Sequence, residues 1–375
     1  MTADYSINLL GEIPRLLAEN GWHVHLISSP GPELDSEREK GYASCHYIPM
    51  ARNPSILPDL WALIGWVRVL RTIRPTVVSV GTPKAALLGL LASWALRVPH
   101  RVYLLRGLRL ETATGVSRVA LAALERIASS CATEVIAVSA SLKTAYLKEK
   151  LVDKRKVIVL GGGSSKGVDG KIYRPAAKNE SDSLLALAES IGLLPGVPVI
   201  GVFGRQAVDK GLEIFVTASD ELLLAGIEHQ VLMVGDDESL GRLGNISSFR
   251  TDRFVVISRV HDLQRYYRLL TILCLPTLRE GLPNVALEAQ ASSVPVITTD
   301  ATGAIDSVEN RVTGLVVAKG SSDDLVAALK CLLQDEPYRA QLAAKARPWV
   351  LRNFDAKHVS DNNLKYFSDL VSKSP

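Results

Sequence analysis

The sequence predicts an α/β protein of two doubly wound domains, each built on a parallel sheet, facing one another across a cleft. Three observations point there. Short apolar, β-rich runs alternate with amphipathic segments almost throughout, which is the pattern of successive βαβ units. The later runs are nearly continuous Val, Ile and Leu, as suits strands buried on both faces. At roughly 100–200 residues per domain, the chain's 375 residues provide for two cores.

Taken in order, strands are expected at residues 23–27, 76–80, 101–105, 134–138 and 156–160. Amphipathic helices fall between them at 60–72, 85–96, 118–128 and 141–149. The pattern restarts with the apolar run 198–203, a helix at 211–224, and strands at 230–234, 254–257, 272–275, 294–298 and 314–317. Gly161, Gly162, Gly163 and Pro175 break regular structure near the join. The domains are therefore drawn as 1–165 and 166–350, followed by a helical end, 351–375, able to cross back to the first domain. One element is out of place. A doubly wound domain opens on a strand that is normally central in its sheet, yet residues 1–6 are polar and the first element reads as a helix over 7–19. The first domain is expected to lack its opening strand.

Composition narrows the class. The chain is 47% hydrophobic and 22% charged, ordinary for a globular enzyme. Its longest apolar stretch, 85–96, falls well short of the about 20 residues that span a bilayer. No basic and apolar leader opens the sequence. Cys45, Cys131, Cys274 and Cys331 are scattered and read as buried thiols in a reducing, cytoplasmic compartment, not as a disulfide framework or zinc site. Residues 1–160 hold 20 Lys/Arg against 13 Asp/Glu, a net +7, and the remainder 23 against 26, a net −3. A basic first half favours an anionic partner, such as a phosphorylated acceptor or an anionic membrane face. Trp61 and Trp66 on the helix 60–72 are candidate interfacial anchors there.

Two segments carry the chemistry. In Pro276-Thr277-Leu278-Arg279-Glu280-Gly281-Leu282-Pro283-Asn284-Val285-Ala286-Leu287-Glu288-Ala289, a strand end leads into a helix with Pro283 as its expected first residue. Asn284 and Glu288 then share a helix face, and Glu280 lies in the loop before it. Both carboxylates can face a pocket at the carboxyl end of the sheet, where open α/β folds bind ligands. In Gly204-Arg205-Gln206-Ala207-Val208-Asp209-Lys210-Gly211, two cations flank a strand-to-helix turn, an arrangement suited to a diphosphate. Asp209 is expected to cap the helix or anchor Lys210. Lys84 in Gly81-Thr82-Pro83-Lys84, with Arg106 and Arg109 in Arg106-Gly107-Leu108-Arg109-Leu110-Glu111-Thr112, are first-domain candidates for an acceptor phosphate. The run Gly161-Gly162-Gly163 reads as a connection, since a lone glycine run is weak evidence for a phosphate loop. Val234-Gly235-Asp236-Asp237-Glu238 reads as a loop without metal-ligand company.

In their order along the chain, these segments resemble the family 4 glycosyltransferases of the GT-B fold, which pairs two Rossmann-like domains. The pair Glu280 and Glu288, eight residues apart, is the most specific mark, supported by Arg205 and Lys210. The stretches from Ser28-Ser29-Pro30-Gly31-Pro32-Glu33 to Gly163-Ser164-Ser165-Lys166-Gly167-Val168-Asp169 resemble the bacterial members that build capsule and other surface polysaccharides. The resemblance implies a retaining, metal-independent transferase using a nucleotide-sugar donor, UDP-linked by expectation, and no other cofactor. Its acceptor is expected to be a lipid-diphosphate-linked glycan at the cytoplasmic membrane face, with no nucleic-acid partner. Arg205 and Lys210 are expected to hold and stabilise the leaving diphosphate, Glu288 to bind the ribose hydroxyls, and Glu280 to contact the donor sugar. Gly204, Gly281, Leu282, Pro283, Asn284 and Val285 complete the expected donor contacts. Arg106 stands where relatives often carry histidine, and Ser258 near an expected glycine. The family's first strand and glycine-rich loop are absent from the start. The alternative is an impaired or scaffolding protein that keeps the fold. An epimerase of the same fold agrees less well with these motifs. A dinucleotide oxidoreductase is disfavoured because no G-x-G-x-x-G opens either domain.

Overall fold

Secondary structure in this computed structural model follows the alternation read from the sequence; it describes residues 4–51, 55–236 and 253–372. The chain divides into two units. Unit 1 comprises Met1–Gly167 with Ala356–Pro375, and unit 2 comprises Val168–Asp355.

Unit 1 begins with a 3-10 turn, Asp4–Leu10, and continues through α1 (Ile13–Glu19), β1 (His25–Ser28), α2 (Pro32–Glu39), β2 (Ser44–Tyr47), α3 (Ile56–Ile73), β3 (Val77–Gly81) and α4 (Pro83–Ala95). It proceeds through β4 (His100–Leu105), α5 (Gly115–Cys131), β5 (Glu134–Ala137), α6 (Ala140–Lys148) and β6 (Val157–Ile158). The strands pair in parallel but form two ladders, β1-β2 and β3-β4-β5-β6. β2 was not anticipated. Its sequence, Ser-Cys-His-Tyr, lacks apolar alternation, and its side chains are exposed or half-buried, so its pairing with β1 is what makes it a strand. α3 begins four residues earlier than its apolar periodicity suggests. Ser55 precedes it in an extended conformation and donates its backbone N–H to Asp59 Oδ2 at 2.9 Å.

Unit 2 contains α7 (Ser181–Ser190), β7 (Val199–Phe203), α8 (Leu212–Leu224), β8 (Gln230–Val234), β9 (Phe254–Ile257), α9 (Leu263–Tyr267) and β10 (Ile272–Leu275). α10 (Asn284–Ala291), β11 (Val296–Thr299), β12 (Gly314–Val317), α11 (Ser322–Gln334) and α12 (Glu336–Phe354) complete it. Among the described residues its six parallel strands lie in the order β12-β11-β10-β7-β8-β9. Every residue of β7, β8, β10 and β11 is buried, which is why these runs are apolar without alternation. Ser321 and Asp335 cap α11 and α12 by accepting hydrogen bonds from the N–H groups of Asp324 and Tyr338.

The terminal helical segment is two helices, broken at Asp355. The second, α13 (Ala356–Ser372), belongs to unit 1. Phe367 packs with Val102 and Ile136 of the unit 1 sheet and meets Trp22 edge-to-face at 6.5 Å between ring centroids. Tyr366 donates to Glu134. Of the four cysteines, Cys131 and Cys274 are buried as anticipated, whereas Cys45 is half-buried and Cys331 exposed. No helix among the described residues is long and apolar enough to cross a membrane.

Because Phe367 is only 6% exposed and fills the junction of α13 with the sheet, Phe367→Ala is expected to destabilise unit 1 by about 3 kcal/mol. Urea unfolding followed by tryptophan fluorescence checks this, and a loss below about 1 kcal/mol would mean that α13 is peripheral to the core.

Candidate functional site

Strand order decides where the two motifs meet. In unit 2 the order reverses between β7 and β10, which pair directly through Ile200↔Ile272 and Gly201↔Leu273. Open α/β sheets bind ligands at the carboxyl ends of strands flanking such a switch point. β7 ends at Phe203 and runs into the segment 204–210, while β10 ends at Leu275 and runs into 276–283. The two loops are neighbours although some 70 residues apart in sequence.

Backbone bonds hold them together. Leu278 N–H donates to the Asp209 carbonyl at 2.9 Å, and Thr277 Oγ1 donates to the same carbonyl at 3.2 Å. Gly211 adopts a left-handed φ of 68°, and a Cβ there would collide with the Pro276 carbonyl. Gly303 works similarly on the far side. Its φ is 76°, a Cβ would strike the Gly281 carbonyl, and the neighbouring Thr302 carbonyl accepts the Glu280 N–H at 2.8 Å.

Two ion pairs bridge the loops. Lys210 Nζ meets Glu280 Oε1, both side chains being less than one-fifth exposed. Arg279 meets Asp209 at 2.5 Å. Asp209 thus differs from its expected roles. Gly211 occupies the N-cap of α8, and Lys210 is held by Glu280, leaving Asp209 to pair with Arg279. Gly204 and Arg205 lie half-buried at the end of β7, and Gln206 N–H ties this turn to the Asp236 carbonyl at 2.8 Å.

α10 contributes the second carboxylate. Pro283 is the residue immediately before the helix rather than its first residue. Gly281 and Leu282 are buried, with Asn284 and Val285 half-buried. Asn284 Oδ1 is enclosed and accepts no hydrogen bond among the described residues. Glu288, one helical turn on, is 5% exposed and accepts a hydrogen bond from Tyr267 Oη at 2.9 Å. Tyr173 also faces it. Burial, and then the Glu288 charge, push the phenol pKa values of both tyrosines upward. Tyr173 is fixed from behind, since Arg347 donates to its carbonyl at 2.7 Å and to that of Gly170 at 2.7 Å. Tyr173 and Tyr267 were missed because neither lies in a recognisable motif; only folding brings residues 173, 267 and 288 together.

The first-domain candidates do not form one cluster of solvent-facing cations. Lys84, at the start of α4, is almost enclosed and paired with Asp59 at 2.6 Å. Arg106 follows β4 with its guanidinium Nε enclosed; Nη2 donates to the Leu9 carbonyl at 3.2 Å. Burial lowers its pKa to about 10, which leaves it charged at neutral pH. Arg109 is exposed on the short turn Arg109–Thr112. No group of three or more His, Cys, Asp or Glu side chains able to hold a metal gathers among the described residues. In the acidic segment after β8, Asp236 pairs with Arg259, while Asp237 and Glu238 lie outside the described residues.

Known proteins resemble this chain over its whole length. Residues 197–335 match the family described as glycosyl transferases group 1, and residues 10–163 match the glycosyl transferase 4-like domain. The capsular polysaccharide biosynthesis glycosyltransferase CapM of Staphylococcus aureus is 32% identical over 377 residues, covering 100% of this chain and 97% of CapM. The Escherichia coli UDP-Gal:alpha-D-GlcNAc-diphosphoundecaprenol alpha-1,3-galactosyltransferase is 25% identical, covering 95% of this chain and 91% of its own. Among solved structures, Anabaena HepE in complex with UDP-glucose aligns with a TM-score of 0.78 at 18% identity, covering 98% and 95% of the two chains. That structural likeness establishes a shared GT-B fold.

The close approach at Gly211 has a measurable counterpart. Gly192 has a comparable positive φ of 85° but open space around its Cβ position. Gly192→Ala is expected to cost about 1 kcal/mol, from backbone conformation alone, and Gly211→Ala at least about 3 kcal/mol, because the Pro276 loop must also move. Equal costs in denaturant unfolding would show that the two loops are not in contact.

Proposed function

This chain belongs to the group 1 glycosyl transferases, and from that premise we propose that it transfers sugar from a UDP-linked donor to a lipid-diphosphate-linked glycan in surface polysaccharide synthesis, retaining anomeric configuration. The single observation carrying the donor reading is the Lys210–Glu280 pair bridging the two strand-end loops at the switch point. The acceptor class is supported by similarity to the E. coli diphosphoundecaprenol galactosyltransferase.

Departure of a nucleoside diphosphate develops negative charge, and preorganised cations stabilise it without reorganisation at the moment of reaction. Lys210 and Arg205 supply those cations, and the amino terminus of α10 adds oriented amides. Lys210 waits on Glu280. A bound diphosphate draws the ammonium toward itself and frees the Glu280 carboxylate to accept hydrogen bonds from donor-sugar hydroxyls. Glu288, oriented by Tyr267, accepts those of the ribose. In a same-face reaction the leaving phosphate oxygen takes the acceptor hydroxyl's proton as the new glycosidic bond forms, so no protein base is required. This route uses the protein's own cations and needs no divalent metal.

Unit 1 is the acceptor side in this reading. Arg109 is exposed on this side, and Lys84 is paired with Asp59. The amino-terminal part of α3 presents Ile56, Leu57, Leu60 and Trp61 to solvent, with Ile56 89% and Trp61 67% exposed. We assign this row to peripheral contact with an anionic membrane. Trp66, expected to share that role, is a core residue at 2% exposure.

A panel of nucleotide sugars assayed for transfer or donor hydrolysis tests the proposal. Lys210→Ala is expected to lower kcat about 10²- to 10³-fold. Glu288→Gln is expected to raise the donor KM by about tenfold or more, as loss of a charged hydrogen-bond acceptor requires. Activity is expected to persist with a chelator. Full turnover by the Lys210 variant would overturn the site assignment, and a strict divalent-metal requirement would overturn the metal-free route. In flotation with anionic vesicles, Trp61→Ala combined with Leu57→Asp is expected to reduce the bound fraction at least severalfold. Wild-type protein that stays unbound at low salt would remove the membrane assignment.

A further inference from the structure

Residues 170–174 are turn and irregular chain, yet four of their five carbonyls are held by arginine side chains. Arg347, on α12, donates to those of Gly170 and Tyr173, each at 2.7 Å. Arg268, which directly follows Tyr267 at the end of α9, donates to those of Ile172 at 3.3 Å and Arg174 at 3.1 Å. Arg268 is nearly enclosed and is itself anchored by Glu180 at 3.1 Å. Gly170 lies so close to α12 that a Cβ would stand 2.8 Å from the Leu351 side chain. Charge-assisted hydrogen bonds are the strong ones, and here they take the place of the backbone ladder that a regular element would supply.

The clamp delivers one side chain to the site. Tyr173 packs its ring edge-to-face on Tyr267, with centroids 5.8 Å apart. Its phenol faces Glu288; burial, and then the Glu288 charge, push its pKa upward. Tyr267 reaches the same carboxylate from α9 at 2.9 Å. Arg347 also donates to the carbonyl of Ala291, the last residue of α10. One guanidinium therefore ties the far end of the helix carrying Glu288 to the backbone carrying Tyr173.

We propose that Tyr173 is a positioning residue that makes the donor site select a ribonucleotide over its 2′-deoxy analogue, and that Arg347 and Arg268 act through it. The inference rests on the donor reading above, in which Glu288 accepts hydrogen bonds from the ribose. A carboxylate offers both oxygens to a vicinal diol in only one orientation of its plane. One phenol bonded to Oε2 leaves that plane free to turn, and a second phenol facing the group stops it. Once the plane is fixed, a sugar lacking its 2′-hydroxyl leaves a buried charged acceptor unsatisfied, the condition under which a polar site discriminates most strongly. With the plane free, the carboxylate turns to serve the remaining hydroxyl and the discrimination fades.

The test titrates UDP and 2′-deoxy-UDP into the full chain by calorimetry, so the readout does not depend on turnover. Wild-type protein is expected to favour UDP by at least about tenfold. Tyr173→Phe keeps the ring, and is expected to weaken UDP about five- to tenfold while changing 2′-deoxy-UDP by less than about twofold. Arg347→Met keeps the side-chain stem but not its donors, and is expected to narrow the ratio in the same direction; should it not fold, Tyr173→Phe decides alone. Added to Glu288→Gln, Tyr173→Phe is expected to have no further effect, since the two act as one unit. Equal weakening of both nucleotides by Tyr173→Phe would mean general damage to the pocket and overturn the proposal, as would an unchanged ratio. Unaltered UDP affinity in Glu288→Gln would remove the ribose reading itself. Loss of affinity there, with none in Tyr173→Phe, would overturn this inference alone.

Discussion

Adjacency of β7 and β10 is the constraint from which the candidate site follows. Two strands far apart in sequence become neighbours at the point where the sheet changes winding direction, and their carboxyl ends leave side by side. The candidate site residues of unit 2 are hung from those two ends. The loop after β7 brings Arg205 and Lys210, the loop after β10 brings Glu280, and α10 presents Glu288 one step further. Glycines at 211 and 303 let the backbones close to distances that no side chain would permit. Local conformational freedom is thereby spent on fixing the separation between opposite charges.

Charge balance within this cluster carries its own meaning. Lys210 and Arg279 balance Glu280 and Asp209 across the bridging loops, so opposite charges meet in pairs and no concentrated field drives the loops apart. Arg205 lies half-buried on the same loop as Lys210. Tyr267 and Tyr173 play a different part, enclosing Glu288 so that its direction is set by hydrogen bonding rather than by free rotation.

The strands of unit 2 were legible almost residue by residue, because strands buried on both faces announce themselves as unbroken apolar runs, whereas its helices Ser181–Ser190, Leu263–Tyr267 and Ser322–Gln334 were not anticipated. The run at 314–317 even coincides with β12. Pairing was not legible. Asp209 stands next to Lys210, and sequence proximity suggested that the two belong together, whereas folding gives each the partner standing opposite on the 276–283 loop. Trp66 shows the same limit from another direction. Trp61 and Trp66 lie on one helix, but five residues of helix turn them to different faces, one to solvent and one to the core. β2 escaped altogether because an edge strand made of Ser, Cys, His and Tyr owes its conformation to its neighbour. The expectation of a first domain without its opening strand came from a missing pattern; among the described residues the strands of unit 1 form two separate ladders, β1-β2 and β3-β4-β5-β6.

The return of α13 to unit 1 bears on how the protein is made. A chain emerging from the ribosome exposes residues 168–355 in full before residues 356–372 have appeared. Unit 2 is contiguous and can complete its sheet and helices as soon as it has cleared the exit tunnel. Unit 1 begins first and finishes last, since Tyr366 and Phe367 cover its sheet only after synthesis has passed through the whole of unit 2. Its apolar surface around Val102 and Ile136 therefore stays uncovered until residues 356–372 have been made.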